Sequence, residues 1–159
     1  MSFLIRALAV GLAAIGLVQS PAFAADPDPI GAMLDQQKIK YEVDKDKDYK
    51  VVYDFSKEKR TQIVYVSGTA EDFEGIKIRS IFAPAAQMKK NPIDGQMKAL
   101  LEANGKSKFG AWEIVGDDLY FSARLVEPFT AEELGQLLNL VASVADDKEI
   151  EISGKSDEL

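Results

Sequence analysis

Residues 49–55, YKVVYDF, and 61–67, TQIVYVS, place an apolar side chain at nearly every second position, and only a short polar stretch separates them. A period of two puts alternate side chains on opposite faces of an extended chain, so these runs predict paired strands with one face turned to a core. The same pattern holds in 39–43, IKYEV, and 76–82, IKIRSIF. Asp44 to Asp48 links the first pair of strands and Lys57 to Arg60 the second, while Gly68 to Gly75 reads as a polar loop. Four adjacent strands with short connections predict an antiparallel meander.

Helical spacing appears on either side of this block. Asp28 and Pro29 read as a cap and first turn, followed by Ile30, Met33 and Leu34, so a short helix is expected to about Gln37, with Gly31 weakening it. Asn91-Pro92-Ile93-Asp94 predicts a second start, with Asn91 as cap and Pro92 at the first helical position. Its stripe is Ile93, Met97, Leu100 and Leu101, and Gly105 ends it. Phe109–Val115 and Leu119–Val126 then form a hairpin around Gly116-Asp117-Asp118. In Thr130-Ala131-Glu132-Glu133, the threonine can cap and the glutamate can reach back, flanked by the staple pair Phe129 and Leu134. Leu134, Leu137, Leu138, Val141 and Val144 continue as one stripe. Asp146-Asp147 reads as a poor helix end, with EIEI at 149–152 as a short edge strand or a trailing segment. The order α-β-β-β-β-α-β-β-α describes an α+β domain: an antiparallel sheet with flanking helices.

Residues 1–24 carry Arg6, the apolar run Ala7–Val18, and Ala22-Phe23-Ala24. That is the layout of a secretory signal with its A-x-A cleavage site, shorter than the roughly 20 apolar residues of a membrane anchor. Its flavour is bacterial, so a periplasmic or secreted chain beginning at Ala25 is expected, with no stable membrane anchor after cleavage. Residues 25–154 then form one domain and 155–159 a polar tail. The ending Lys155-Ser156-Asp157-Glu158-Leu159 approaches an ER retention signal, but Ser156 stands where lysine belongs.

The inventory of reactive groups is thin. Among 159 residues there is no cysteine and no histidine, which excludes disulfides, Cys/His metal sites and histidine-based triads. A net charge of −7 and a pI near 4.7 oppose nucleic-acid binding. No glycine-rich phosphate loop is present. Asp44, Asp46 and Asp48 open like a calcium loop, but Tyr49 and Phe55 occupy the positions that need glycine and glutamate. Asp117 and Asp118 are adjacent turn residues, and Glu71, Asp72 and Glu74 sit in a polar loop, so neither set predicts the facing carboxylates of a glycosidase. Ser56-x-x-Lys59 has Ser-Lys hydrolase spacing but falls in a predicted turn without companion motifs. Ser80 with Lys89 or Lys90, and Ser122 with a distant lysine, have no spacing argument. No catalytic, cofactor-binding or metal-binding residue, and no cofactor, is therefore assigned. Asn104, Phe109 and Trp112 form the most informative set: Asn104 closes a helix, and Trp112 either packs in the core or anchors a partner on an exposed sheet face.

LLEAN at 100–104, KFGAW at 108–112, DDLYFSARL at 117–125 and PFTAEEL at 128–134 together resemble the YbjN domain family, whose fold is similar to that of type III secretion chaperones. The resemblance covers about 92–145 and extends more loosely over 30–90. It bears on fold more than on function. Together with the thin inventory of reactive groups and an antiparallel sheet that three short helices leave partly uncovered, it leads to the expectation of an exported, non-enzymatic module that binds proteins or acts as a chaperone. The partners it leaves open are a protein client and a second copy of the chain. The first helix, which serves partner binding or dimerisation in the secretion chaperones, is short here. The competing expectations are a carboxylate-based hydrolase acting on cell-wall or other exported glycans, and a structural or stress-related protein.

Overall fold

The computed structural model describes residues 29–55 and 59–154. The signal reading at 1–24, the cap Asp28, Ser56 of the Ser-x-x-Lys pattern and the tail 155–159 lie outside the described residues. The chain folds as expected into an α+β domain with one antiparallel sheet. Its helices are α1 (Pro29–Gln36), α2 (Met97–Asn104) and α3 (Ala131–Ser153). The strands are β1 (Tyr41–Val43), β2 (Tyr49–Phe55), β3 (Arg60–Val66), β4 (Glu71–Phe73), β5 (Ile76–Gln87), β6 (Gly110–Val115) and β7 (Asp118–Val126). Sheet order is β1-β2-β3-β5-β7-β6, with β4 folded back onto β5.

Strand parity separates two faces. Val51 opposes Val64, Val66 opposes Ile81, Ile81 opposes Ala123, and Trp112 opposes Phe121. These residues share the inner face, where α3 lies over the centre of the sheet. Leu134, Leu138, Val141, Ala142 and Ala145 of α3 are buried in the same core. Helix α1 packs close to the β1–β2 hairpin: a Cβ on Gly31 would lie 2.9 Å from the Tyr41 hydroxyl. The glycine that weakens α1 as a helix is what lets α1 approach. Among the described residues, the outer face carries no helix. It presents Val52, Ile63, Tyr65, Phe82, Tyr120, Val115 and Val126, of which Val52, Val115 and Val126 are exposed.

Four local expectations need correction. The 68–75 loop contains β4, because Phe73 and Ile76 turn back on each other through Glu74 and Gly75, both at positive φ. Asn91 does not cap α2. Its N–H donates to the Gln87 carbonyl, so the chain is still leaving β5, and a 3-10 turn (Asp94–Gln96) precedes α2 with no side-chain cap. Arg60 is not a turn residue but the buried start of β3. Finally, α3 does not stop at Asp146-Asp147, and EIEI is helical. The helix runs to Ser153 and closes at Gly154, whose φ of 70° and bond to the Ile150 carbonyl make a left-handed cap.

Arg60 explains that extension. Its Nε donates to Asp146 Oδ1 at 2.8 Å and its Nη2 to Glu149 Oε2 at 2.7 Å, with all three side chains at most 5% exposed. Asp146 and Glu149, three residues apart, lie on the buried side of α3 and meet the arginine that strand alternation turns inward. Beside it, Gln62 donates through Nε2 to the Pro84 carbonyl at 2.8 Å. That bond spans the region where β3 and β5, paired only at Tyr65–Phe82 and Val66–Ile81, part from each other.

The capping box forms as expected. Glu133 N donates to Thr130 Oγ1 at 3.2 Å, and Thr130 N donates to Glu133 Oε2 at 2.7 Å. Thr130→Ala is expected to cost about 1 kcal/mol in urea unfolding. The bonds from the Thr130 backbone and then its hydroxyl hold the Glu133 carboxyl below its ordinary pKa. A lowered folded pKa stabilises above the unfolded value, and that contribution disappears as pH falls through the folded one. Alanine keeps the backbone N–H bond and loses only the hydroxyl bond, so the hydroxyl's share of the gap between wild type and Thr130→Ala should disappear below the ordinary glutamate range. A gap that is unchanged in acid would show that the hydroxyl-to-carboxylate bond contributes nothing.

Candidate functional site

The site is built where α2 meets the edge strand β6. An edge strand leaves alternate N–H and C=O groups without a strand partner. Here the Asn104 side chain takes a partner's place at Trp112: Oδ1 accepts from Trp112 N at 2.7 Å and Nδ2 donates to Trp112 O at 3.1 Å. Gly110 N donates to Ser107 Oγ at 3.3 Å. The loop from α2 thus closes the first half of the edge. Ile114 directs its backbone to the same edge by alternation, beyond the reach of that loop.

Trp112 proves to be both a packing residue and a surface residue. Its ring lies edge-on to Phe121 at 4.9 Å, and Lys148 Nζ stands 5.8 Å from the ring centroid. Phe109 meets the same Phe121 ring at 5.6 Å. Strand parity would put Phe109 and Trp112 on opposite faces, but Phe109 precedes β6 and is free of its pleat. Gly110 makes room for the convergence: a Cβ there would lie 2.7 Å from the Phe121 ring and 2.6 Å from the Ser122 carbonyl oxygen.

Beyond Trp112 the surface opens into a groove of about 250 Å³, whose walls include Met97, Leu101, Asn104, Trp112 and Ile114. Leu101 is 72% exposed, and Met97 and Ile114 are also exposed. Solvated apolar residues from two elements, fixed by a side-chain clamp, form a shaped apolar surface. The segment around it is basic in an acidic chain: residues 88–110 hold five lysines against Asp94 and Glu102. Lys98 is paired with Glu102 at 3.5 Å and remains largely exposed.

Four of the carboxylates singled out in the sequence, Asp44, Asp48, Asp72 and Asp117, serve local structure. Asp44 Oδ1 accepts from the N–H groups of Asp46 and Asp48 at 2.8 and 3.0 Å, and Asp48 Oδ1 accepts from Gly68 N at 3.0 Å. This is a hairpin turn in which Asp44 caps the backbone. Asp72 closes the β4–β5 turn through Gly75 N, and Asp117 pairs with Lys89. Asp118 begins β7 and helps burial raise the Tyr120 pKa. Ser80 N donates to Ser67 Oγ, far along β5 from Lys89, and Lys59 is an exposed residue at positive φ. Among the described residues, no group of three or more acidic side chains could hold a metal ion, and no helix is long and apolar enough to cross a membrane.

Sequence reading pointed to Asn104, Phe109 and Trp112, which the structure brings together around Phe121 and the β6 edge. It missed Ile114 as the open part of that edge, although the run Trp112-Glu113-Ile114 at a strand end carries the alternation that places it there. The chain matches no protein-family model, and no curated protein is significantly similar to it.

Proposed function

We propose that this protein is an exported, non-enzymatic binding module with chaperone-like action. It holds an apolar segment of a client protein in the groove between α2 and β6. The observation that carries this reading is the exposed Met97–Leu101–Ile114 surface bordering Trp112. Aromatic and aliphatic anchors of this kind supply most of the energy of protein interfaces. The open end of β6 offers backbone groups to an extended peptide, which is the strand-addition mode of recognition. The lysine-rich surroundings favour clients whose apolar segment has acidic flanks, and such selectivity weakens with salt. The YbjN-like motifs at 100–134 and the secretory pattern at 1–24 support the same reading.

The test is photo-crosslinking in the exporting cell, with a benzophenone side chain placed at Leu101 or, as control, at Lys47 in the distant β1–β2 turn. Discrete adducts are expected only from position 101, and they should disappear when Ile114→Asp is added. Trp112→Ala is a poor control because Trp112 also packs on Phe121. Equal adduct patterns from both positions would contradict the proposal.

A further inference from the structure

The outer face of the sheet differs in kind from the groove and lies on the opposite side of β6. An antiparallel sheet open to water on one side normally shows polar residues there. This face mixes Lys50, Asp54, Thr61 and Ser80 with an apolar band that crosses from β2 to β6 through Val52, Ile63, Tyr65, Phe82, Tyr120 and Val115. At the β4–β5 end it continues into Phe73, Ile76 and Val126, all more than half exposed.

The relief of the face is matched to itself. The Tyr65 and Phe82 rings stack 5.3 Å apart at 15°, and Tyr120 closes on Phe82 edge-on at 6.0 Å. Neighbouring strands lie about 4.8 Å apart, so rings facing each other at that distance stand upright as a ridge. A ridge of ring edges gives no flat platform on which a sugar could stack. Beside the ridge is a hollow of about 330 Å³, bordered by Ser80, Phe82, Glu113, Val115, Ser122 and Arg124. Its wall holds one cation and one anion, Arg124 and Glu113, paired at 2.9 Å and both partly exposed. A ridge beside a hollow, with one charge of each sign, is what a two-fold axis needs, because each copy must offer both halves of every contact.

The area is of the right order. Four strand spacings from β2 to β6 give roughly 20 Å, and strands of 6 to 12 residues give roughly 20–40 Å. The resulting roughly 400–800 Å² in plane approaches, at its upper end, the about 800 Å² per partner of a standard stable interface. We infer that the outer sheet face is the interface of a homodimer, packed sheet against sheet, with the ridge of each copy seated in the hollow of the other. The two α2–β6 grooves then point outward and stay accessible. The inference is independent of what the grooves bind.

Sedimentation equilibrium on the purified exported protein, with the chain mass fixed by mass spectrometry, tests it. The expected result is twice the chain mass at micromolar concentration. Phe82→Glu should raise the dissociation constant at least about thirtyfold, as loss of a central anchor does. Val52→Lys and Val115→Lys replace side chains more than half exposed in the free chain, so they should dissociate the dimer without unfolding it, as circular dichroism can verify. Arg124→Glu should weaken it, and the charge-swapped Glu113→Arg with Arg124→Glu should restore it. Leu101→Asp, in the groove, should leave it unchanged. A wild-type monomer would overturn the inference. So would a dimer that survives Phe82→Glu and both valine substitutions, or one lost in Leu101→Asp.

Discussion

Replacing Arg60 with alanine is expected to lower folding stability by about 3–5 kcal/mol, the cost of leaving buried carboxylates without their cation. Asp146 and Glu149 each receive a charge-assisted bond from the guanidinium at 2.7–2.8 Å, and neither can recover the lost bond from water while the core stays closed. Set against a typical net stability of about 5–15 kcal/mol, such a loss removes a large share of the whole. Urea unfolding should show a lower midpoint with an unchanged slope, because the surface exposed on unfolding is the same. The first amides to lose hydrogen-exchange protection should be those of the last turns of α3, which the cluster fastens to β3. If the single variant fails to fold, Arg60→Met with Asp146→Leu and Glu149→Met distinguishes a charge effect from a packing effect. Replacing an entire buried ion cluster with apolar groups of similar size is often neutral or stabilising, so the triple variant should recover most of the loss. A single-variant loss well under 1 kcal/mol would mean that the cluster is solvated.

Leu138→Ala should cost about 2–5 kcal/mol, the range for removing a fully buried leucine and leaving a partly collapsed cavity. Leu138 is completely buried at the centre of α3, among Leu134, Val141 and Ala142. Two residues on, Leu140 faces solvent, and Leu140→Ala should stay within about 0.5 kcal/mol of wild type. The contrast between two leucines of one helix tests the orientation of α3 over the sheet. Equal losses would place the buried stripe elsewhere.

The fold was legible wherever local pattern and tertiary packing agree. Alternation in YKVVYDF and TQIVYVS located β2 and β3, and Thr130 with Glu133 located the start of α3, because each signal acts over a few residues. Errors came where a distant partner decided the outcome. Asp146 opposes the helix dipole as an end residue, and only Arg60, 86 positions away, makes it an interior one. A clue was present: continued at helical spacing, the stripe through Leu138, Val141 and Ala145 reaches Glu149 and Ile152. Arg60 and Gln62 share the parity of Val64 and Val66, and acids on one buried stripe call for an inward cation on another. Asn91 misled because Pro92 after a capping residue also suits a turn that is still leaving a strand. As for the site, Asn104 and Trp112 stood out as residues, but their mutual clamp depends on the α2–β6 loop geometry, which no spacing rule supplies. The apolar outer face was visible as Tyr65, Phe82 and Tyr120 only once the register showed Tyr65 opposite Phe82 and Tyr120 diagonal to it on the next strand.

The central claim is that the α2–β6 groove receives an apolar peptide segment, and the chain carries its own reporter, since Trp112 is its single tryptophan and forms one wall of that groove. The most direct measurement is titration of the purified protein with short peptides that alternate leucine or phenylalanine with polar residues and carry aspartate at both ends, followed by Trp112 emission. A saturable blue shift is predicted, as the indole exchanges water for apolar contacts. It should weaken as salt rises, disappear in Leu101→Asp and be absent for peptides with serine in place of the apolar residues. Emission that stays unchanged across the apolar peptides, or shifts equally in Leu101→Asp, would contradict the account.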